Sequence, residues 1–466
     1  MTQNQLRTPT QLATATPPWR ALPVLVAGVY LVVLDFFIVN VALPSIQADL
    51  GADAAALEWV VSGYGLALGA TLLTAGRIGD VIGRRRMYGV GVAGFVVASL
   101  VCALARTPGE LVAGRLVQGV GAGIVIPSML SLLGVHFPGP HRARAIGVYG
   151  LAMGVAAASG QLIGGVLIQA GLGWRAIFAI NIPVGVAILV LAPVLVPESK
   201  AAAPRPIDWV GMLLLTSSVT ALILPLIQGR SQGWPTWTWA VLGLSGVLLA
   251  TTVAQQRRLG RRGGAPLFPA ELLTSPTFRS GLGAQLVFWC GQASFYLCLS
   301  LYLQQGRGLS PLDSGLLFTV LALAYLSTSL RAPALIGRFG RSVVIAGALV
   351  TLAGYAAFGV AVVGFDGWSV LMLGPGLLLV GAGQGLCITP LTMAVLAHAR
   401  PSQAGTVSGA LSTAQQIGNT VGVALIGVVF FGAVGEGVPH AFALALVPLA
   451  MVSVLVAVVA RRLPPS

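Results

Sequence analysis

Long apolar stretches alternate with short polar segments along this chain, and most of the charged residues lie in the polar segments. A stretch of about 20 apolar residues is long enough to cross the hydrocarbon core of a bilayer as a helix. The pattern predicts an all-α polytopic membrane protein with 14 transmembrane helices, at residues 20–45, 57–76, 87–105, 109–135, 143–169, 173–196, 208–228, 236–254, 277–304, 312–332, 343–364, 368–396, 403–431 and 441–461.

The composition agrees with a membrane protein. Hydrophobic residues make up 56% of the 466 residues and charged residues only 8%, which is far more apolar than a soluble core requires. Many of the 61 glycines and 28 prolines fall inside the apolar stretches, where small residues let helices pack closely. The four cysteines lie there too, without motif spacing, so we expect neither a disulfide framework nor a metal site.

The net charge of +14 is distributed unevenly across the predicted membrane. Most of the 26 basic residues lie on the side of the termini, and the exceptions that face the other side are Arg106, Arg175, Arg230 and Arg307. The positive-inside rule then places both termini in the cytoplasm. We expect a multi-pass protein of the cell (cytoplasmic) membrane. Because these arginines can bind anionic lipid headgroups, the basic charge does not indicate nucleic acid as a partner.

The chain contains an internal repeat. The segment GRIGDVIGRRR at 76–86 follows the second span, and the similar segment PALIGRFGRS at 333–342 follows the tenth. Further pairs of similar segments relate span 4 to span 12 and span 5 to span 13. A repeat of this size predicts two pseudo-symmetric six-helix bundles, with a substrate site between them near the middle of the membrane.

Spans 7 and 8 have no counterpart in the repeat, so we interpret them as an inserted two-helix hairpin. The predicted organisation comprises a cytoplasmic tail, a first bundle, a linker that carries the hairpin at about 208–254, a second bundle and a short cytoplasmic tail, at residues 1–19, 20–197, 198–276, 277–462 and 463–466 respectively.

Four short motifs follow one another at defined spans: LDFFIVNVALP at 34–44, GRIGDVIGRR at 76–85, RLVQG at 115–119 and GVAAASGQLIGG at 154–165. Together with WRAIFAINIPVG at 174–185, they resemble the motifs of the major facilitator superfamily, and specifically those of its fourteen-span drug:proton antiporters of the multidrug efflux type. The resemblance implies the major facilitator fold and proton-coupled export of amphipathic, hydrophobic or cationic drugs or natural products. It also implies alternating access, a monomer, and no cofactor beyond the proton gradient.

Asp35 is the acidic residue that the pattern places inside a predicted span, where a charge costs about 2.5–3.5 kcal/mol on the insertion scale. We expect it to form a buried polar cluster with Arg115 and Gln118 of span 4. The resemblance assigns Arg115 to proton coupling, and we predict the same role for Asp35. A carboxylate that only pairs with Arg115 and has no part in transport is the alternative.

Span 9 supplies further candidates for a substrate cavity besides Gln118. Trp289 lies near the middle of this span, and Gln292 and Tyr296 follow at one-turn intervals. They could form an aromatic and polar wall for a flat hydrophobic ligand, although lipid exposure or core packing explains Trp289 equally well.

The loop motif after span 2 contains the candidates for gating: Gly76, Asp80, Gly83 and Arg84. In the family that the motif resembles, the aspartate faces the N-terminus of the helix equivalent to span 13, whose predicted start is Ser402. Carboxylates are favoured at helix N-termini, so this contact would hold the two bundles together. The second copy of the motif has Gly337 in place of Asp80.

The motif of span 5 supplies small residues for helix packing: Gly154, Gly160, Gly164 and Gly165. Gln161 stands where the antiporter motif normally has proline, so the bend attributed to that proline is in question.

An enzyme is not indicated, because no HExxH, nucleotide-binding loop or GxSxG motif is present. A proton-coupled importer or uniporter on the same fold, and a membrane sensor that transports nothing, are the alternatives. The antiporter-like motif of span 5 argues against the importer, and the lack of a sizeable soluble segment argues against the sensor.

Overall fold

The structure, a computed structural model, describes residues 18–137, 140–200, 208–264, 266–267, 275–364, 370–396 and 404–463. In this part of the chain, fourteen helices are long and apolar enough to cross a membrane, as predicted. They are numbered α1 to α14 in chain order: Ala21–Leu50, Ala54–Ile82, Arg84–Leu104, Pro108–His136, Pro140–Leu167, Ala176–Leu195, Trp209–Ser231, Thr236–Arg261, Pro276–Leu301, Pro311–Phe339, Ser342–Gly364, Gly374–Leu396, Ala404–Ala433 and Val438–Ala460.

Several helices begin before the apolar stretch that predicts them, because polar side chains cap them. Asp53 accepts a hydrogen bond of 2.7 Å from the backbone N–H of Ala56 and starts α2 ahead of the predicted position 57. Glu58 therefore lies in the second turn of α2 rather than at its first residues, and its side chain is fully buried instead of facing an exterior loop. The prediction that Asp35 is the single acid inside a span was therefore wrong.

The same pairs of helices pack together in both halves of the molecule. In the first bundle α4 packs against α2 and α3, and α1 packs against α5 and α6. In the second bundle α12 packs against α10 and α11, and α9 packs against α13 and α14. The helix pairs thus correspond one to one, and the fold consists of two pseudo-symmetric six-helix bundles.

Equivalent glycines make the turn in both copies of the loop motif. Gly83 between α2 and α3 has φ 120°, and Gly340 between α10 and α11 has φ 53°. Both values lie in the left-handed region that residues with a Cβ rarely adopt. Each turn therefore depends on glycine, and the repeat extends to the backbone conformation.

Within the described part of the chain, the two bundles share a buried core toward one side of the membrane and have separate cores toward the other. We call the side at which α1 begins and α14 ends the terminal face, and the other side the opposite face. Near the opposite face one continuous apolar cluster includes Ile46 of α1 and Leu301 of α9. Toward the terminal face the cores are separate, with Leu25 in the first bundle and Ala284 in the second. The halves are therefore joined most closely at the opposite face.

Hydrogen bonds between α1 and the end of α9 reinforce that junction. Ser300 donates to the backbone carbonyl of Asn40 over 2.5 Å, and Gln304 donates to the carbonyl of Val41 over 2.8 Å. At the end of both helices, Gln305 donates to Gln47 over 2.7 Å. Polar groups therefore cross between the bundles near the opposite face, and the path through the membrane is closed there.

The inserted hairpin, α7 and α8, lies against the seam between the bundles. Val219 and Ile223 of α7 share an apolar cluster with Ala55 of α2 and Ala424 of α13. α8 packs against α7. Within the described residues, α7 thus contacts α2 of the first bundle and α13 of the second.

Candidate functional site

A buried polar cluster surrounds Asp35 at the middle of α1. Asp35, Arg115 and Gln118 are all fully buried, and the structure brings the three together. The Asp35 carboxylate accepts hydrogen bonds from the Arg115 guanidinium and, over 2.8 Å, from the Gln118 amide. A third donor is the side-chain amide of Asn181 on α6, at 2.7 Å. Three helices of the first bundle therefore meet at one carboxylate.

Arg115 is held in several directions at once. Its Nε donates to the backbone carbonyl of Val60 over 3.0 Å, and its Nη1 also donates to Gln118 over 2.7 Å. The guanidinium carbon lies 4.2 Å from the centre of the Tyr64 ring, which is a favourable cation–π distance. A planar, rigid fork can make these contacts together, whereas an ammonium group cannot.

Two members of this cluster, Asn181 and Ser99, were not predicted from the sequence. The hydroxyl of Ser99 on α3 accepts hydrogen bonds from the amides of Gln118 over 2.8 Å and Asn181 over 3.3 Å. It therefore links the two amides that donate to Asp35. Asn181 could have been found as an amide inside the segment WRAIFAINIPVG. Ser99 gives no comparable signal, because serine is common in membrane helices.

Two polar atoms of the cluster have no hydrogen-bond partner among the described residues, namely Nη2 of Arg115 and Oδ1 of Asn181. A buried polar atom without a hydrogen-bond partner raises the free energy of this state, so a state that supplies the partner is favoured relative to it. Asn181 can therefore serve Asp35 in both protonation states. Its amide hydrogen binds the carboxylate, and its oxygen is available as an acceptor once the carboxyl carries a proton.

In the loop motif, Asp80 and Arg84 pair with each other. The Nε and Nη2 groups of Arg84 donate to one oxygen of Asp80 over 3.0 and 2.8 Å. The predicted partner of Asp80 at the start of span 13, Ser402, lies outside the described residues. Gly83 makes the turn that brings α3 back, whereas a Cβ at Gly76 would make an ordinary contact of 3.6 Å with Pro127. The gating role of these residues stays a prediction.

Glu198, just after α6, is a further residue of this site that the sequence analysis did not select. Its carboxylate accepts hydrogen bonds from the backbone N–H groups of Arg85 over 3.0 Å and Arg86 over 3.2 Å. An acid at the first turn of a helix satisfies free N–H groups and interacts favourably with the helix dipole. The start of α3 is thereby fastened to the end of α6 within the first bundle.

The glycines of span 5 pack α5 against both bundles at once. A Cβ at Gly160 or Gly164 would come within 3.3 Å of α1, and within 2.5 Å of the Val41 side chain in the case of Gly164. A Cβ at Gly165 would lie 2.6 Å from the Pro311 carbonyl of α10, and one at Gly154 would lie 3.3 Å from Leu326 of the same helix. These glycines therefore set the distance of α5 from its own bundle and from the other.

Gln161 lies between these glycines and is almost fully buried. α5 runs without interruption through this position. Neither side-chain atom of its amide has a hydrogen-bond partner among the described residues. The buried amide therefore replaces the proline of the family motif without a break in the helix.

The structure gives the three candidates of span 9 different surroundings. Trp289 is half-buried, and its Nε1 donates to Gln285 over 2.8 Å. Tyr296 stacks on Phe318 of α10, with ring centres 5.6 Å apart, and also touches Phe37 of α1 at 5.4 Å. Tyr296 thus lies between the bundles, whereas Gln292 lines a pocket within the second bundle.

That pocket comprises about 300 Å³ of space between side chains, part of which is open to the surroundings. Its polar lining is neutral and comes from four helices: Gln292, Thr351, Tyr355, Gln384 and Ser453. The pocket occupies the second bundle much as the Asp35 cluster occupies the first, but it contains no charged side chain among its lining residues. Of these two equivalent places, only the one in the first bundle thus contains charged side chains, Asp35 and Arg115.

Within the described residues, no group of three or more histidine, cysteine or acidic side chains is positioned to hold a metal ion. The four cysteines are free thiols.

The family model described as Major Facilitator Superfamily matches residues 25–423. The chain is 38% identical over 440 residues to a "Probable actinorhodin transporter" of Streptomyces coelicolor, covering 92% of this chain and 76% of that protein. It is 33% identical over 436 residues to the "Tetracenomycin C resistance and export protein" of Streptomyces glaucescens, covering 92% of this chain and 79% of that protein. Among solved structures, that of a D-xylose-proton symporter is similar, with a TM-score of 0.68 and 14% sequence identity. The match covers 96% of this chain and 98% of the symporter chain.

Proposed function

The chain belongs to the major facilitator superfamily, and we propose that it is a proton-coupled antiporter that exports amphipathic, hydrophobic or cationic small molecules by alternating access. Membership makes it a multi-pass transport protein rather than an enzyme, as the sequence predicted. Of the two relatives described above, one is named as a probable actinorhodin transporter and the other as a tetracenomycin C resistance and export protein, which supports the outward direction.

The observation that carries proton coupling is the burial of the Asp35 carboxylate within the first bundle. Its carboxylate is fully buried, and every hydrogen bond described for it comes from the first bundle. A proton bound to Asp35 would cancel the charge that attracts Arg115. The donors from α4 and α6 would then be held less firmly to α1, so that the charge of one side chain is coupled to the packing of three helices.

Helix packing gives this coupling a route to the transport path. α1 carries Asp35 and also forms the junction with α9 at the opposite face. α5, which packs on α1 through Gly160 and Gly164, touches α10 of the second bundle through Gly165. A change in the position of α1 would therefore be transmitted to both contacts between the bundles. This is the arrangement that alternating access requires.

The arginine distribution supports an orientation in which the terminal face is cytoplasmic. In that orientation the structure is closed toward the exterior, so a substrate would enter from the cytoplasm. One chain supplies both bundles, so we propose that a monomer is sufficient and that the protein resides in the cell membrane. Anionic lipid headgroups are the partners proposed for the arginines of the terminal face.

Growth protection in a hypersensitive bacterial host tests the proposal. Cells that express the protein and cells that lack it are exposed to a panel of structurally varied inhibitors, with and without a protonophore at a dose that collapses the proton gradient, and the difference in survival between the two strains measures protection. We expect protection against a subset of hydrophobic or cationic compounds, and we expect the protonophore to remove it. Protection that persists after the proton gradient has collapsed would exclude proton-driven export.

A further inference from the structure

A pocket lies at the seam between the bundles, where the inserted hairpin covers it. It comprises about 370 Å³ of space between side chains, part of which is open to the surroundings. Three helices line it: α2 of the first bundle, α13 of the second bundle and α7 of the hairpin. We call this space the seam pocket. It is separate from the polar pocket inside the second bundle, which is lined by other helices.

Glycines of α2 bring the two bundles close together beside the seam pocket. A Cβ at Gly65 would lie 3.0 Å from the Thr420 hydroxyl oxygen, and one at Gly69 would lie 2.9 Å from the Cβ of Gln416. The pocket includes Met212, near the start of α7 at the terminal face, as well as these glycines, near the midpoint of α2. It therefore extends from the middle of the membrane toward the terminal face.

Two threonines of α13 line the seam pocket, and their hydroxyl groups are used differently. Thr420 donates to the backbone carbonyl of Gln416, one turn earlier, over 2.8 Å, which is a common arrangement for threonine in a helix. The side chain of Thr413 is only 2% exposed, and its hydroxyl has no hydrogen-bond partner among the described residues. A buried donor without an acceptor raises the free energy of the protein. A ligand that brings an acceptor into the pocket would satisfy this hydroxyl.

The other lining residues restrict the chemistry of such a ligand. Leu66, Leu215 and Ile417, one from each helix, give the pocket apolar walls, against which apolar ligand surface is favourably buried. In the part of the chain that the structure describes, no lining residue carries a charge, so a charged ligand would enter without a counterion. The pocket therefore favours a neutral molecule with an apolar body, and molecules of this kind concentrate in the bilayer that surrounds the seam.

We propose that the seam pocket is a binding site for a neutral, mostly apolar molecule that carries a hydrogen-bond acceptor such as a carbonyl oxygen. Thr413 donates to this acceptor, and the apolar side chains of α2, α7 and α13 surround the rest of the molecule. The site differs in chemistry and in place from the charged Asp35 cluster, which lies inside the first bundle. Binding in the seam pocket requires neither proton coupling nor a particular direction of transport, so it goes beyond the proposed function.

Photolabelling of the protein in liposomes tests the site. The probe is octanone with a diazirine group in its alkyl chain, because a ketone accepts hydrogen bonds and cannot donate them. Unlabelled octanone and octane are the competitors, compared at equal mole fraction in the bilayer, since octane has a similar apolar chain and no acceptor. Thr413→Val removes the free hydroxyl and keeps the shape of the side chain. Thr420→Val is the matched control, because the proton of its hydroxyl is already donated to Gln416.

We expect saturable labelling of residues that line the pocket on α7 and α13, with octanone competing about two- to tenfold more effectively than octane. Thr413→Val should abolish this difference, and Thr420→Val should retain it. Equal competition by the two compounds in the wild-type protein would mean that any hydrocarbon chain, including a lipid acyl chain, fills the pocket, and it would overturn the proposal. Absence of saturable labelling there, or an equal loss of the difference in both variants, would do the same. Failure of the export assay would overturn the proposed function alone, because binding is measured without transport.

Discussion

Asn181 donates a hydrogen bond of 2.7 Å to Asp35 and thereby joins α6 to α1 in the interior of the first bundle. Replacing it with leucine keeps the approximate volume and removes the donor. A hydrogen bond to a charged group contributes about 1.5–3 kcal/mol, so we expect Asn181→Leu to reduce proton-driven export about tenfold or more without loss of membrane insertion. Ser99→Ala removes the hydroxyl that accepts from Gln118 and Asn181 but leaves both donors to Asp35 in place, so it should reduce export less. Equal export rates in the two variants would show that the α6 contact has no special role.

Asp35→Asn should abolish uphill export while the protein remains folded, because asparagine cannot exchange a proton. The measurement is uphill substrate transport across the membrane of proteoliposomes under an imposed pH gradient. Asp313→Asn, at the capped start of α10, is the matched control and should export normally. Export by Asp35→Asn at the wild-type rate would remove the carboxylate from the mechanism.

The proton stoichiometry can be read from the response to membrane potential. If Asp35 is the single carrier, exchange of one proton for a monovalent cation moves no net charge, and the rate should follow the pH gradient alone. For a neutral substrate the same cycle moves one charge and gains about 2.3 kcal/mol per 100 mV. Potential-driven export of a monovalent cation would mean that a second proton crosses the membrane.

Gly165→Ala should prevent the opposite face from closing fully. The added methyl group would lie 2.6 Å from the Pro311 carbonyl, which is backbone and cannot move aside cheaply. Overpacking of this kind costs about 1–3 kcal/mol, so we expect the closed-to-open ratio to fall at least fivefold. Gly147→Ala on the same helix, whose Cβ would meet no described atom within 4 Å, is the control. Spin labels at Ala48→Cys in the first bundle and Gly435→Cys in the second, both exposed near the opposite face, report the distance between the bundles in both variants. An unchanged distance distribution in Gly165→Ala would contradict the packing argument.

Asp80→Asn should leave folding intact and shift the population toward molecules open at the terminal face. The pair with Arg84 is partly exposed, so its loss affects overall stability little. A helix-terminus contact of about 1 kcal/mol would change the ratio of states about fivefold. Cysteine accessibility from each side of the membrane measures this shift. An unchanged labelling ratio with normal transport would indicate that Asp80 only shapes the loop.

The helix count and the meeting of Asp35 with Arg115 and Gln118 could be predicted because both depend on residue type inside apolar stretches. A buried carboxylate and a buried guanidinium in one bundle lower their desolvation cost by pairing, so their contact follows from their presence. The turn at Gly83 and its equivalent at Gly340 likewise follow from the repeat.

Glu58 and Glu198 could not be identified in the same way. Acids near the ends of apolar stretches usually face water, and the sequence does not give the rotation of a helix about its axis. Glu58 is buried because α13 lies on that side of α2 and has a glycine opposite it. Glu198 reaches the start of α3 because α6 ends beside it. Both relationships arise from packing between segments distant in the chain.

α7 lies against both bundles, and this makes the thickness of the surrounding bilayer part of the energetics of the cycle. When α2 and α13 move relative to each other, α7 must tilt or slide, and α8 moves with it through the lipid. A tilted hairpin matches a different hydrocarbon thickness, at a cost of fractions of a kcal/mol per Å of mismatch. If the protein alternates between two open states as proposed, we expect the balance between them to depend on acyl-chain length, so that the inserted hairpin makes transport sensitive to the lipid composition of the membrane.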